Sequence, residues 1–535
     1  MIHHSLLLII SLFFFMAMLF LLSQKIRISY PIFLVIGGLC ISFVPQVPNI
    51  TVNPDIVFLI FLPPLLFDAA WNTSWNSFWK WKRSIFLLGF GLVLFTSVGI
   101  AYFSAHIIAG FTLSLGFLLG GIISPPDAVA AASVLKGIKI PKRGVTILEG
   151  ESLVNDAASL TIFTFAMATI KTGNFIPKDA IIDFFVLSVM GVFVGLVIAH
   201  ILYFVLKSWA KSSSITTPIT LIAPYLMYVV AEELHWSGVL AVVSGGLFLS
   251  FRSKDFLNYH TRLQTKEVWE TVDFLLNGFV FILIGLELPV IINGLEGEYN
   301  IEEAIRYACY IAIIVIVLRI LLVYLMEFVP RFLSENIRKR EKSPGWKLPI
   351  IIGWSGMRGV VSLASALSIP IVLETGIAFP HRNLILFITF VVILVTLVFQ
   401  GLTLPVIIKL LKVEEIDDYI PEEEQIEDIR YRIAQNSVAY LDKNYSDEMQ
   451  KNETIARIKE QLLRSISATD RARKEIAGKE EVGSSRKLFK KVMMNLIEQR
   501  RAFLHKIANE KKYDDFIIRD MEDNLDLEEA RLNKQ

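Results

Sequence analysis

Five polar residues interrupt an otherwise apolar segment in the N-terminal half of the chain: Glu151, Ser152, Asn155, Asp156 and Ser159. Residues three and four positions apart share one face of a helix, so the last four predict a row of oxygen atoms along one side. Hard cations bind carboxylate, hydroxyl and carbonyl oxygens, and this segment contains no His or Cys. We expect Asp156 to be the essential carboxylate of a cation site. A purely structural hydrogen-bond network is the alternative.

Two consecutive prolines, Pro125 and Pro126, interrupt a second apolar segment directly before Asp127. Neither proline has an amide hydrogen, and both rings clash with the preceding helical turn, so the helix should open there. The carbonyls of Gly121 and Ile122 would then need a new partner inside the bilayer. We expect a bound cation to supply it, with Asp127 beside the ion. The alternative is a kink in which Asp127 pairs with an arginine.

Three further charged residues, Asp68, Arg319 and Arg358, also lie inside apolar segments. A charge in mid-membrane costs about 2.5–3.5 kcal/mol on insertion scales, so each one needs a partner. An arginine cannot lose its proton there, and Glu151 is the best anionic candidate, although the residues alone leave open which arginine it takes. Asp68 would either line the same cavity or pair with the other arginine.

The other polar residues indicate little chemistry. Asp273 and Asn277, one helical turn apart, are interpreted as an interfacial polar pair, with a functional role as the alternative. Cys40 and Cys309 have neither metal-site spacing nor a disulfide pattern. No basic stripe suggests nucleic acid as a partner. The sequence therefore predicts a protein that is not an enzyme, needs no cofactor and binds no nucleic acid.

Apolar runs long enough to cross a bilayer dominate the chain before residue 412. The protein has 535 residues, 54% of them hydrophobic. A membrane span takes about 20 apolar residues, and we predict thirteen spans on this basis. They lie near residues 5–23, 29–45, 54–70, 84–108, 113–134, 144–170, 181–206, 215–233, 237–251, 268–293, 303–329, 348–373 and 384–411.

Basic residues are concentrated in the loops that follow odd-numbered spans. Lys25 and Arg27 follow the first span, and Arg338, Lys339 and Arg340 follow the eleventh. The positive-inside rule places such loops in the cytoplasm. This distribution predicts a protein of the inner membrane with its N-terminus outside and its C-terminus in the cytoplasm.

The composition changes from apolar to charged after the last span. We predict a membrane domain at 1–411 and a helical cytoplasmic tail at 412–535, with a role in regulation or oligomerisation. Thirteen spans suggest two inverted six-helix repeats around a central seventh span. The break at Ser124–Asp127 lies in span 5, and a glycine-rich stretch, Gly353–Gly359, interrupts span 12. Because both spans are fifth in their repeats, the paired breaks predict the ion site of a secondary transporter.

Four stretches of the chain resemble one known family. They are Phe61–Trp71, Ile123–Ala130, Leu148–Ala157 and Gly356–Leu363. The sequence is similar there to the monovalent cation:proton antiporters, in the branch that holds the NhaP-type bacterial sodium/proton antiporters and the animal sodium/proton exchangers. The third stretch is the most specific, and the resemblance covers about residues 20–411.

The resemblance implies an all-α homodimer with thirteen helices per protomer, in which an unwound fifth helix crosses an unwound twelfth. It places the transported sodium at Asp127, Ser152 and Asp156, with the Pro126 carbonyl as a further oxygen. Asn155 would help to hold this site.

The resemblance also pairs Glu151 with an arginine of the eleventh helix, which favours Arg319 over Arg358. Two positions depart from the family pattern, because the family often has Thr at Pro126 and Glu at Asp68. The first departure removes a hydroxyl group, and the second shortens a carboxylate side chain.

The activity implied by this resemblance is exchange of sodium, or lithium, for protons, in support of sodium and pH homeostasis. Similar proteins with Asn before the key Asp are typically electroneutral and exchange one sodium for one proton. Potassium/proton exchange by the same residues is the closest alternative. A cation channel and a membrane sensor that signals through its tail are more distant ones, and the sequence has no filter-like repeat to support a channel.

Overall fold

The structure is a computed structural model of the chain. It describes residues 2–26, 29–43, 54–135, 138, 140–173, 177–210, 212–295, 298–373, 376–415, 417, 422–447, 453–476, 492–504, 521, 525, 527–529 and 532. The regular secondary structure of these residues is helical, apart from one isolated β-bridge between Val372 and Ala378. The chain forms two units, Met1–Asp417 and Asp418–Gln535.

The first unit contains both broken spans and every residue predicted for the ion site. Two π-helical segments, Leu87–Leu92 and Val395–Gln400, each join two consecutive α-helices. Within the described residues its α-helices are α1 (Ile2–Ile26), α2 (Tyr30–Ser42), α3 (Pro54–Asn72), α4 (Trp75–Phe86), α5 (Val93–Ile107), α6 (Leu113–Ile123), α7 (Ala128–Leu135), α8 (Lys142–Thr172), α9 (Pro177–Ser208), α10 (Ser213–Glu233), α11 (Gly238–Phe256), α12 (Tyr259–Leu286), α13 (Leu288–Leu295), α14 (Ile301–Leu333), α15 (Glu335–Arg340), α16 (Lys347–Trp354), α17 (Val360–Leu367), α18 (Arg382–Leu394) and α19 (Gly401–Leu411).

Helices occupy all thirteen predicted spans. Eight continuous helical stretches of the described chain are long and apolar enough to cross a membrane. Three shorter apolar helices, Ile10–Ile26, Tyr30–Ser42 and Leu59–Asn72, accompany them. The predicted all-α, multi-pass architecture is therefore confirmed, whereas the count of thirteen spans stays a prediction.

Both predicted breaks separate two short helices. The chain leaves helical geometry between Ile123 and Ala128, where Pro125 and Pro126 cannot donate amide hydrogens. The second break lies between Trp354 and Val360. Span 5 therefore consists of α6 and α7, and span 12 consists of α16 and α17.

Small residues let α6 pack very closely on α5. A Cβ atom added at Gly116 would lie 2.6 Å from the Ala101 backbone, and one added at Gly120 would lie 2.8 Å from the Ser97 backbone. These contacts are tighter than any side chain allows, so glycine is required at both positions. The close packing fixes the C-terminal end of α6, where the first break begins.

The second unit is helical in its described parts. Its helices Glu422–Asn444 and Glu453–Ile476 pack against each other, and Lys459 forms an ion pair with Asp442 at 2.6 Å between them. Ile497, Leu525 and Leu532 form a small buried cluster. The division of function between this unit and the membrane unit stays a prediction.

Candidate ion-binding site

The two broken helices meet at their unwound segments. The backbone N–H of Asp127, in the first break, donates a hydrogen bond of 2.7 Å to the carbonyl of Met357, in the second. The N–H of Arg358 donates to the hydroxyl of Thr396 at 3.1 Å, which ties the second break to the π-helical segment beside it. The structure thus brings the two sequence breaks into direct contact.

Asp127 lies at the start of two helices. Its Oδ1 atom accepts hydrogen bonds from the amides of Val129 at 2.9 Å and Ala130 at 3.3 Å, in the first turn of α7. The amide of Val360, the first residue of α17, lies close enough to this carboxylate to stabilise its negative charge. Helix N-termini carry unpaired amides and partial positive charge. Asp127 therefore lies at two helix ends, and no arginine among the described residues forms an ion pair with it.

The opposite helix ends contact arginines. The Nε atom of Arg358 donates to the carbonyl of Ile123, the last residue of α6, at 2.6 Å. A guanidinium nitrogen of Arg319 donates to the carbonyl of Ile352, near the end of α16, at 3.3 Å. Helix C-termini carry partial negative charge, so each buried cation neutralises one broken helix end.

One freed carbonyl at the end of α6 has a partner within the protein. The positive group at this helix end is Arg358, bonded to Ile123, whereas the cation predicted near Gly121 and Ile122 stays a prediction. The carbonyl of Gly121 accepts from the Ser124 hydroxyl at 3.5 Å. An arginine from the second break reaches this end because the two unwound segments touch.

Glu151 forms a bidentate ion pair with Arg319. The two nitrogen–oxygen distances are 2.8 and 3.1 Å, and both side chains are only 1% exposed. Two parallel hydrogen bonds of this kind orient both groups and neutralise both charges. Of the two arginines that the sequence left open, the structure pairs Arg319 with Glu151.

The polar face of α8 points toward the first break. The amide of Ala128 donates to the Ser152 hydroxyl at 3.4 Å, and the Asn155 amide nitrogen donates to the Pro126 carbonyl at 2.9 Å. The other atom of the Asn155 side chain, Oδ1, is buried and has no hydrogen-bond partner among the described residues. An unpaired acceptor at such a depth is costly unless a ligand satisfies it.

Asp156 is the candidate site residue whose side chain has the fewest hydrogen-bond and ion-pair partners in the described chain. Its residue is 8% exposed, and within the described chain no hydrogen bond or ion pair joins its carboxylate to another group. The Asp127 carboxylate is close enough to repel it electrostatically. Two neighbouring carboxylates with one buried acceptor from Asn155 form an oxygen-rich, negatively charged site that a proton or a hard cation can neutralise.

Asp68 lies on α3 and bonds to an amide side chain. Its Oδ2 atom accepts from Asn72 at 3.0 Å, and Asp273 acts on it electrostatically. Asp273 in turn accepts from Asn277 at 2.7 Å and is within electrostatic range of Asp127. Among the described residues no arginine pairs with Asp68, which favours the cavity interpretation of this carboxylate.

Two residues that shape the site, Thr396 and Gly359, are absent from the sequence-based predictions of the ion site. Thr396 anchors the second break, but one Thr in an apolar run carries no signal of its own. Gly359 contacts the Asp127 carboxylate so closely that an added Cβ atom would lie 1.8 Å from Oδ2. The presence of Gly359 in a glycine-rich break was a signal that could have identified it.

Replacing Gly359 by Ala is expected to impair ion binding while the fold is retained. The new methyl group must displace the Asp127 carboxylate, and a misplacement of about 1 Å costs about 100-fold at catalytic sites. Initial rates of cation-driven proton flux in reconstituted vesicles measure the effect. Gly91→Ala is the control, because its Cβ would meet only the flexible end of Met326 at 3.0 Å. Equal rates for Gly359→Ala and Gly91→Ala would show that the close contact is unimportant.

Crossed, broken helices with buried carboxylates in a multi-pass helical protein define the class of secondary active transporters. Residues 9–410 match the family described as sodium/hydrogen exchanger, transmembrane. The chain belongs to this family of cation/proton antiporters, which are transporters rather than enzymes.

Individual relatives agree with this assignment. The chain is 27% identical over 520 residues to an uncharacterised Na+/H+ exchanger of Mycobacterium tuberculosis, covering 96% of this chain and 93% of that protein. It is 33% identical over 390 residues to a sodium, potassium, lithium and rubidium/H+ antiporter of Bacillus subtilis. This match covers 71% of this chain and 58% of that protein.

A solved structure has the same fold. The sodium/proton antiporter of Methanocaldococcus jannaschii, solved at pH 8, is similar with a TM-score of 0.59 at 18% sequence identity. The match covers 77% of this chain and all of that one.

Proposed function

We propose that the protein exchanges sodium for protons across the inner membrane and that Asp156 carries whichever of the two is bound. The observation behind this proposal is the buried Asp156 carboxylate, which has no protein partner in the described chain and lies beside Asp127. Sodium would bind to Asp127, Ser152 and Asp156. The Oδ1 atom of Asn155 and the carbonyl oxygen of Pro126, through its second lone pair, would be the remaining oxygen ligands of the ion.

The exchange depends on competition for one negative charge. A sodium ion or a proton can neutralise Asp156, but the two cannot bind to the carboxylate together. Because an empty, charged site is costly to move through a low-dielectric region, the loaded forms are the ones that change sides. Movement of one helical repeat against the other would then expose the site alternately to the two compartments.

The other charged groups around the site are compensated, so sodium and protons compete for Asp156. Arg319 is neutralised by Glu151, and Arg358 lies at the C-terminal end of α6. Asp127 is stabilised at the starts of α7 and α17. With these charges compensated, Asp156 is the group that must gain a cation or proton. We propose one sodium per proton, hence electroneutral exchange.

Potassium/proton exchange remains the main alternative. The name of the Bacillus subtilis relative includes potassium, lithium and rubidium as well as sodium. Pro126 provides only a backbone carbonyl at the crossing, and Asp68 is a short acid. A site with fewer fixed oxygens is less selective by size, so lithium and potassium are included in the test.

Membrane orientation, oligomeric state and physiological role are the remaining parts of the proposal. We propose an outer N-terminus, a cytoplasmic tail and a homodimer in the bilayer, with a role in sodium and pH homeostasis. The tail, 412–535, would regulate exchange or support oligomerisation. A channel would conduct cations without a counter-ion. A sensor would lose its output without the tail, whereas an antiporter would still exchange ions.

Titration with alkali cations is expected to separate these functions. In reconstituted vesicles with an imposed pH gradient, sodium and lithium should drive proton flux, and potassium should need about a tenfold higher concentration because it fits small oxygen cages poorly. The rate should not change when the membrane potential is clamped. Equal or stronger responses to potassium would favour the alternative substrate. Cation flux without proton movement would contradict antiport altogether.

A further inference from the structure

The last predicted span contains α18, the second π-helical segment and α19, and its polar side chains contact the second break. The Thr396 hydroxyl accepts from the Arg358 N–H at 3.1 Å, and the Thr403 hydroxyl accepts from the Trp354 indole N–H at 3.0 Å. Trp354 is the last residue of α16, and Arg358 lies two residues before α17. The two threonines therefore bind the unwound segment at both of its ends.

Gln400 lies between these two threonines, four residues after Thr396 and three before Thr403, so the three residues share a helix face. It is 0% exposed and is the last residue of the π-helical segment. The helix that begins at the next residue, α19, packs against α7 and α16, one half of each broken span. Gln400 is therefore buried where the last span meets both broken spans.

The Gln400 side chain has no hydrogen-bond partner among the described residues. Its Nε2 and Oε1 atoms are both buried, and no other amide side chain of the described chain has both polar atoms buried and unpaired. An amide group can donate two hydrogen bonds and accept two, and burying it without partners destabilises the folded state. An apolar side chain of the same size would be more stable here. The amide therefore points to a hydrogen bond that forms in another conformation.

The second break contains a complementary donor. The Nη2 atom of Arg358 is buried and has no partner in the described chain, although Nε and Nη1 bond to the carbonyls of Ile123 and Gly356. Gln400 also ends a π-helical segment, a rare geometry that is frequent at functional sites. A shift of the unwound segment along the last span can bring this unpaired donor to the unpaired oxygen of Gln400.

We infer that Gln400 is a positioning residue of the exchange cycle. Its amide is unpaired in this conformation and hydrogen-bonds to the second break in the conformation that opens the ion site to the other compartment. The inference rests on the proposed exchange. Gln400 stabilises the second conformation relative to the first, so that both are populated during exchange, and it is not a ligand of the transported ion.

Replacing Gln400 by Met tests this role, because methionine has a similar length but no amide group. The maximal rate of sodium-driven proton flux should fall about three- to tenfold, the effect of one lost hydrogen bond. The KM for sodium should stay equal or fall, because the ion ligands are unchanged. The melting temperature of the detergent-solubilised protein should stay equal or rise, because the variant buries no unpaired amide.

Two further variants provide the comparison. Thr396→Val removes a side chain that has a partner in this conformation, so it should melt at a lower temperature than the wild type. Gln264→Met, at an exposed position of α12, should change neither the melting temperature nor the rate. Opposite effects of Gln400→Met and Thr396→Val on melting temperature would separate an unpaired buried group from a paired one.

Hydrogen–deuterium exchange of residues 353–359 reports the opening of the second break. Gln400→Met should slow this exchange by about the same factor as the flux, because the second conformation is less populated. Gln400→Asn keeps an amide group and should transport sodium faster than Gln400→Met. Faster deuterium exchange in Gln400→Met, or equal flux in the Asn and Met variants, would overturn the role of the amide.

The outcomes distinguish this inference from the proposed function. If the wild type exchanges ions but Gln400→Met keeps the wild-type maximal rate, raises the KM for sodium or melts at a lower temperature, only the inference about Gln400 fails. If the wild type shows no cation/proton exchange, the proposed function and the inference fail together.

Discussion

Replacing Asp156 by Asn is expected to reduce sodium-driven proton flux to the rate of protein-free vesicles. Asn has nearly the same size as Asp, but it can neither release a proton nor offer a negative charge to sodium. Sodium and protons therefore no longer compete for a carboxylate at this position, and the coupling between the two fluxes is lost. The measurement is the initial rate of pH change in reconstituted vesicles after a sodium pulse.

Two controls separate this loss from misfolding. Asp255 is a partly exposed acid that bonds to Tyr203, and Asp255→Asn should keep wild-type flux. Asp156→Glu keeps the charge, so partial exchange with an altered sodium KM is expected. Sodium-dependent proton flux in Asp156→Asn, at a rate near that of Asp255→Asn, would refute the assignment of Asp156.

Replacing Arg319 by Met is expected to destabilise the protein by about 3–5 kcal/mol, because it leaves Glu151 buried and unpaired. Both side chains are only 1% exposed, so water cannot compensate for the lost partner. The double variant with Glu151→Leu and Arg319→Met should recover at least half of the loss, since it buries no charge. The melting temperature of the detergent-solubilised protein reports the change.

An exposed ion pair provides the comparison for this effect. Arg306 and Glu303 are 55% and 45% exposed, and Arg306→Met should cost no more than about 1 kcal/mol. If Arg319→Met melts at the same temperature as Arg306→Met, the buried pair does not stabilise the fold. If the double variant is as unstable as Arg319→Met, contacts of Arg319 with Ile352, rather than the uncompensated charge, cause the loss.

Local chemistry made the breaks in the helices predictable. Pro125 and Pro126 cannot donate amide hydrogens, and this property acts within one turn of the chain. The polar face of α8 was predictable for the same reason, since it follows from the helical repeat alone. The membrane-spanning character came from the length of the apolar runs.

The partners of these residues could not be predicted, because they lie far apart in the sequence. The amide of Asp127 bonds to the carbonyl of Met357, which no local pattern reveals. Arg358 reaches the carbonyl of Ile123 only because the two broken helices touch. Residues alone gave Glu151 a choice of two arginines, and the resemblance to a family favoured Arg319.

Proton release on sodium binding is the most direct test of competition at Asp156. Detergent-solubilised protein in weakly buffered solution, followed with a pH indicator, should release about one proton per protomer as sodium saturates the site. Asp156→Asn should release none, and choline should release none from the wild type. Sodium binding without proton release, or equal release from Asp156→Asn, would contradict the competition on which the account depends.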